Sequence, residues 1–173
     1  MGKRSNFKRR KHDKYATPYE CVIDLLPHLR PKARFCEPCA GDGALVDHLT
    51  RHGFVCASAR DIHPRRDDID KKDALRTLTG NIQYYITNPP WTREILHPLI
   101  EVLSDQYPTW LLFDADWAHT KQAIPYLPRC RKIIPIGRVK WIPNSEHVGK
   151  DNAAWYLFTR DRFPPTIFFP RAA

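Results

Sequence analysis

The residues best suited to chemistry in this chain are Asn88-Pro89-Pro90-Trp91, which follow the apolar, β-prone run Tyr84-Tyr85-Ile86-Thr87. That order puts the tetrapeptide where a buried strand ends and a loop begins. Neither proline can donate a backbone hydrogen bond, and each holds its φ at about −65°. Asn88, lying before a proline, is itself pushed towards extended geometry. The product is a stiff corner that presents an amide side chain, a row of carbonyls and an indole face. Those groups suit a planar base bearing an exocyclic amine. The plainer alternative is a strand terminator followed by a core tryptophan.

A second constellation lies upstream at Gly41-Asp42-Gly43, placed between a short apolar strand and a helical stretch. Glycines at such a turn let the backbone adopt positive φ and pass close under a ligand. Asp61 closes the next strand 18 residues after Gly43, near the spacing of roughly 20 residues expected of an acid that binds ribose hydroxyls. A nucleoside-containing cofactor is indicated. Val46 occupies the third small-residue position of the dinucleotide fingerprint, and no phosphate-binding run with its lysine is present, so NAD and ATP are poorly supported. Cys36-Glu37-Pro38-Cys39 has CxxC spacing, but no second cysteine pair or spaced histidine pair completes a four-ligand set. The expectation is two small buried thiols and no metal. Asp114 and Asp116 follow a later strand and read as solvated loop carboxylates rather than a metal or base pair.

The elements that must position these groups alternate along the chain. Helical spacing of Val22, Ile23, Leu25, Leu26 and Leu29 predicts a helix over 18–30, with Thr17-Pro18 at its start. A strand at 33–36 precedes the glycine turn, and Leu45, Val46 and Leu49 give the next helix its apolar face, with Gly53 closing it. A strand over 54–59 is followed by a polar loop with a short helix at 73–78. Strand 82–87 leads into the Asn-Pro-Pro-Trp corner and a helix over 92–104. A buried strand at 110–113, a helical stretch near 118–127 and strands at 133–139 and 153–159 complete the pattern. The alternation predicts an α/β fold with a mostly parallel central sheet, helices on both faces, and an antiparallel hairpin at one edge.

Composition narrows the function classes. At 173 residues with 42% apolar residues, the chain suits one packed domain. No apolar run approaches the ~20 residues of a membrane span. The polar, basic start has no signal-peptide character, so a soluble, cytoplasmic protein is expected. The net charge is +9, and residues 1–14 hold seven lysines and arginines against Asp13 alone, leaving +3 for the other 159 residues. Lys8, Arg9, Arg10 and Lys11 form the core of this arm, which is expected to be disordered until it tracks nucleic-acid phosphates. Lys140 and Lys150, beside Trp141 in the last hairpin, are further candidates for phosphate contact.

Taken together, these segments resemble the class I S-adenosylmethionine-dependent methyltransferases, and within them the DNA adenine-N6 group. Tyr15-Ala16-Thr17-Pro18 resembles an N-terminal cofactor motif of one subgroup. Glu37-Pro38-Cys39-Ala40-Gly41-Asp42-Gly43 is similar to motif I, Asp61-Ile62 to the ribose-binding acid, and Asp73-Ala74-Leu75 to an acidic motif that meets the cofactor's adenine amine. Asn88-Pro89-Pro90-Trp91 resembles catalytic motif IV, with Trp91 where Tyr or Phe is usual. The resemblance runs in order from Tyr15 to Thr159. It implies a Rossmann-like class I methyltransferase fold, with one methyltransferase domain over 15–173 and no separate target-recognition domain. It implies S-adenosylmethionine as cofactor, held by Tyr15, Thr17, Glu37, Cys39, Gly41, Gly43, Asp61, Ile62, Asp73 and Asn88. Asn88, Pro89, Pro90 and Trp91 would carry catalysis, with DNA as the partner and a flipped adenine as acceptor. RNA adenines and protein glutamine amides share the acceptor chemistry, and a non-catalytic nucleic-acid-binding module is the remaining alternative.

Overall fold

The computed structural model describes residues 15–76, 80–142, 149–161 and 165–170. Among these described residues eight strands form one sheet in the order β3-β2-β1-β4-β5-β7-β6-β8. They are β1 (Arg34–Glu37), β2 (Val55–Asp61), β3 (Asp70–Lys71), β4 (Tyr84–Thr87), β5 (Thr109–Asp114), β6 (Cys130–Arg138), β7 (Asn152–Phe158) and β8 (Ile167–Phe168). Strands β1 to β5 pair in parallel. β7 inserts antiparallel between β5 and β6, and β8 lies parallel along the outside of β6. The expected late hairpin is therefore present, with one more short strand beyond it.

Among the described residues three α-helices cover the sheet: α1 (Glu20–Ile23), α2 (Ala44–Arg51) and α3 (Arg93–Ser104). Alternate strand residues point to opposite faces, and this divides the core in two. On one face Phe35, Tyr84, Ile86, Trp110, Leu112, Trp155 and Leu157 pack with Val22 and Leu25 from the α1 region and Leu45 and Leu49 of α2. On the other, Cys36, Tyr85, Leu111, Phe113, Tyr156 and Phe158 meet Leu96, Leu99, Ile100 and Leu103 of α3. The indole of Trp155 donates to the Cys21 carbonyl at 2.7 Å, which ties α1 to the sheet.

Three sequence expectations are corrected. The helix over 18–30 is four α-helical residues followed by a 3₁₀ turn at Leu26–His28. Pro27 explains the break, because its ring would clash with the Ile23 carbonyl and it lacks the N–H a continuing helix needs. The stretch 118–127 is a series of 3₁₀ turns, Ala115–His119, Lys121–Ala123 and Leu127–Arg129, separated by extended backbone at Thr120. No helix begins at Asp73: its carboxylate accepts the Leu75 N–H at 2.9 Å, a local bond that makes a turn instead, and Leu78 lies outside the described residues. Among the described residues no helix is long and apolar enough to cross a membrane.

Candidate functional site

The strand order reverses between β1 and β4, which are adjacent, with β2 beyond one and β5 beyond the other. In open parallel sheets the crevice outside the carboxyl ends at such a reversal is where ligands bind. A cavity of about 570 Å³ lies there, within the usual range for small-ligand sites. Its lining includes Tyr15, Thr17, Glu37, Cys39, Gly41, Asp61, Ile62, Asp73, Asn88 and Pro90. Residues from five separate segments thus meet at one place.

The turn after β1 is held by backbone and carboxylate together. Gly41 has φ of 56°; its N–H donates to Asp61 Oδ2 at 2.8 Å. Asp61 Oδ1 accepts the His63 N–H at 2.7 Å. The Asp61 carboxylate therefore joins the end of β2 to the glycine turn and retains unused lone pairs for a ligand hydroxyl. Gly43 serves a different neighbour. It has φ of 79° and does not line the cavity. A Cβ there would lie 2.4 Å from Arg66 Nη1, and Arg66 in turn bridges Asp47 at 2.7 Å and Asp68 at 2.6 Å. A side chain at position 43 would force the Arg66 guanidinium to shift, and the positive φ itself favours glycine.

Glu37 is 2% exposed. The Val46 N–H bonds its carboxyl group, while Oε2 has no partner among the described residues. Burial, followed by the nearby Asp42 and Asp61, pushes this acid well above the ordinary carboxylate range. An acid that cannot ionise comfortably, with one oxygen unsatisfied beside a cavity, suits a cationic ligand. Cys36 and Cys39 are free thiols. Burial pushes Cys36 up to about 12 and raises Cys39 as well, so both stay protonated at neutral pH.

The corner after β4 is neutral. Asn88 Nδ2 donates to Thr17 Oγ1 at 3.3 Å, and Trp91 Nε1 donates to Asn88 Oδ1 at 3.2 Å. An indole N–H only donates, so it fixes which end of the amide faces which way and leaves Oδ1 a second lone pair. Thr17 is 5% exposed, and its carbonyl lies 3.1 Å from His48 Nε2 on α2. Pro89 and Trp91 do not line the cavity. Trp91 packs against both core clusters and stands edge-on to Trp141, ring centroids 5.5 Å apart. The β6–β7 connection is pinned there too, through the Gly149 N–H to the Val139 carbonyl at 2.8 Å.

Lys140 and Lys150 are exposed near this connection and do not line the cavity. Lys8, Arg9, Arg10 and Lys11 lie outside the described residues. Sequence reasoning missed His48, His63, Arg65 and Arg66. His63 and Arg65 follow Asp61 closely and line the cavity, so their nearness to a strand-ending acid was the available signal. His48 had none, being 31 residues from the threonine it holds.

No family model matches the chain, and no curated protein is similar enough in sequence to be matched. Solved structures with a similar fold do exist. One, assigned as an RNA methyltransferase from Pyrococcus horikoshii, is 13% identical over 92% of this chain and 93% of that chain, with a TM-score of 0.59. The methyltransferase subunit of a type I restriction-modification system from Streptococcus thermophilus is 11% identical over 91% of this chain, with a TM-score of 0.59. A dimethyladenosine transferase from Plasmodium falciparum is 16% identical over 80% of this chain, with a TM-score of 0.54. The match spans only 47% of the restriction-modification subunit and 59% of the dimethyladenosine transferase. At these identities the likeness is one of fold: the chain has the Rossmann-like architecture of class I methyltransferases.

Proposed function

We propose that this protein transfers a methyl group from S-adenosylmethionine to the N6 amine of adenine in DNA. The observation that carries the reading is the shared cavity: the Gly41–Asp61 turn and the Asn88 amide line it from neighbouring strand ends. The fold, the orphaned oxygen of Glu37 and the positive-φ turn at Gly41 fit a nucleoside with a cationic tail. On this reading Asp61 accepts the ribose hydroxyls, Glu37 faces the positive end of the cofactor, and Asp73 meets its adenine amine. The cofactor supplies an electrophilic methyl group on a sulfonium.

An exocyclic amine on adenine is a poor nucleophile because its lone pair is delocalised into the ring. Asn88 Oδ1 and the Pro89 carbonyl each accept one of its hydrogens and draw the nitrogen towards tetrahedral geometry. The lone pair then localises and points along the attack line. Positioning and electrostatics of this kind lower barriers by several kcal/mol or more, on the order of 7 for orientation alone. The amine proton leaves to water after transfer. In duplex DNA the base must leave the stack, which costs a few kcal/mol. The basic arm and the exposed Lys140 and Lys150 support a polyanionic partner.

RNA adenine is the second reading, favoured by the similar fold of the structure assigned as an RNA methyltransferase. Mass spectrometry of nucleosides from host DNA and RNA, with and without expression of this chain, separates the two. N6-methyladenine rising in DNA supports the proposal; a rise confined to RNA moves the acceptor; no rise in either, with labelled methyl groups appearing on protein, points to glutamine amides.

A further inference from the structure

The charge on the cavity wall is lopsided. Among the described residues Glu37, Asp42, Asp61, Asp73 and Glu94 all line it, against one guanidinium, that of Arg65. The chain neighbour Arg66 is committed to Asp47 and Asp68. Arg65 makes no ion pair among the described residues. Its backbone is nonetheless fixed, because its N–H donates to the Gly41 carbonyl at 3.0 Å. The side chain lies over the glycine turn, with Nη2 3.8 Å from the point a Cβ on Gly41 would occupy. An arginine held at the mouth of an acidic cavity, yet bound to none of its carboxylates, is placed for an anion that the ligand brings.

We propose that Arg65 receives the α-carboxylate at the amino-acid end of the methyl donor. The inference rests on reading the cavity as the donor site. S-adenosylmethionine carries two positive groups, the sulfonium and the ammonium, and one carboxylate. A wall of acids suits the first two and opposes the third. Arg65 offsets that opposition locally, since its planar fork matches a carboxylate with two parallel hydrogen bonds. It also makes the site selective: the amino-acid tail must be complete for tight binding. Ligands of high negative charge, such as nucleoside triphosphates, meet one arginine and five acids and are disfavoured.

The test is calorimetry with three ligands on the wild-type protein and on Arg65→Gln: S-adenosylmethionine, S-adenosylhomocysteine, and decarboxylated S-adenosylmethionine. The first two keep the carboxylate and the third lacks it. Arg65→Gln is expected to weaken the first two by about tenfold each and to leave the third unchanged. An unchanged thermal midpoint, expected for an exposed side chain, verifies that the variant is folded. Equal losses for all three ligands, or no loss for any, overturn the proposal. So does a variant that binds the donors normally but has lost salt-dependent affinity for DNA, which would give the guanidinium to phosphate. A wild-type protein that binds none of the three overturns the donor reading and this proposal together, whereas normal donor binding with no effect at Arg65 overturns this proposal alone.

Discussion

The turn after β1 and the turn after β4 leave neighbouring strands side by side, yet they are made of opposite materials. The first uses glycine at positive φ, carboxylates and an orphaned acid oxygen. The second uses two prolines, an amide and an indole N–H, with no charged group in its hydrogen bonds. Glycine lets backbone approach a ligand closely; proline removes freedom and keeps carbonyls pointed one way. The contrast matches the two reactants proposed to meet there. A cationic donor is held by negative charge, while a neutral amine needs acceptors that polarise it without first taking its proton.

Removing the amide should break the contrast most severely. Asn88→Ala is expected to lower turnover by about 10²–10³-fold, as does loss of one electrostatic contact to a reacting group, with cofactor affinity nearly intact. Single-turnover kinetics beside calorimetry read both sides, and near-normal turnover would reject the acceptor role of Asn88. The reciprocal change, Asp61→Ala, is expected to weaken cofactor binding by roughly 10- to 100-fold, the range for lost hydrogen bonds to a charged group. Unchanged affinity would remove Asp61 from the ribose.

A subtler test concerns Glu37, whose proton affinity is raised by burial and then by Asp42 and Asp61. The folded protein holds a proton there that the unfolded chain releases above the ordinary glutamate range. Stability is therefore lost as pH rises from that range towards the raised value. Glu37→Gln should abolish this loss, raise the melting temperature at neutral pH by a few degrees, and weaken donor binding. A variant that melts lower with the same pH slope would contradict this account. The smallest effect is expected from Trp91→Phe, which keeps an aromatic ring but deletes the N–H on Asn88. Turnover should fall by no more than about tenfold and cofactor affinity should hold; a loss as deep as that of Asn88→Ala would assign the indole a larger part.

The same contrast shows what could be read in the sequence. Glycines, a strand-ending acid and an Asn-Pro-Pro corner are local patterns at the ends of apolar runs, so both turns were legible, as was the alternation that builds the sheet. Strands β3 and β8 have two residues each, too few for any periodicity. The helix expected over 18–30 stops early because Pro27, visible in the same sequence, overrides the apolar spacing around it. Local pattern around Gly43 cannot show that Arg66, 23 residues on, fills the space above it. The Asn88–Thr17–His48 chain was hidden for a similar reason: its members lie 71 and 31 residues apart and meet only when β4, the N-terminal segment and α2 pack together.

The central claim is that a methyl group passes from a donor at the glycine turn to an amine at the proline corner. Incubating the purified protein with methyl-labelled S-adenosylmethionine and DNA, then digesting to nucleosides and locating the label by mass spectrometry, tests it most directly. The account predicts label on the N6 nitrogen of adenine, lost in Asn88→Ala. Label on a ring carbon or ring nitrogen, or label on N6 that survives that substitution undiminished, would contradict it.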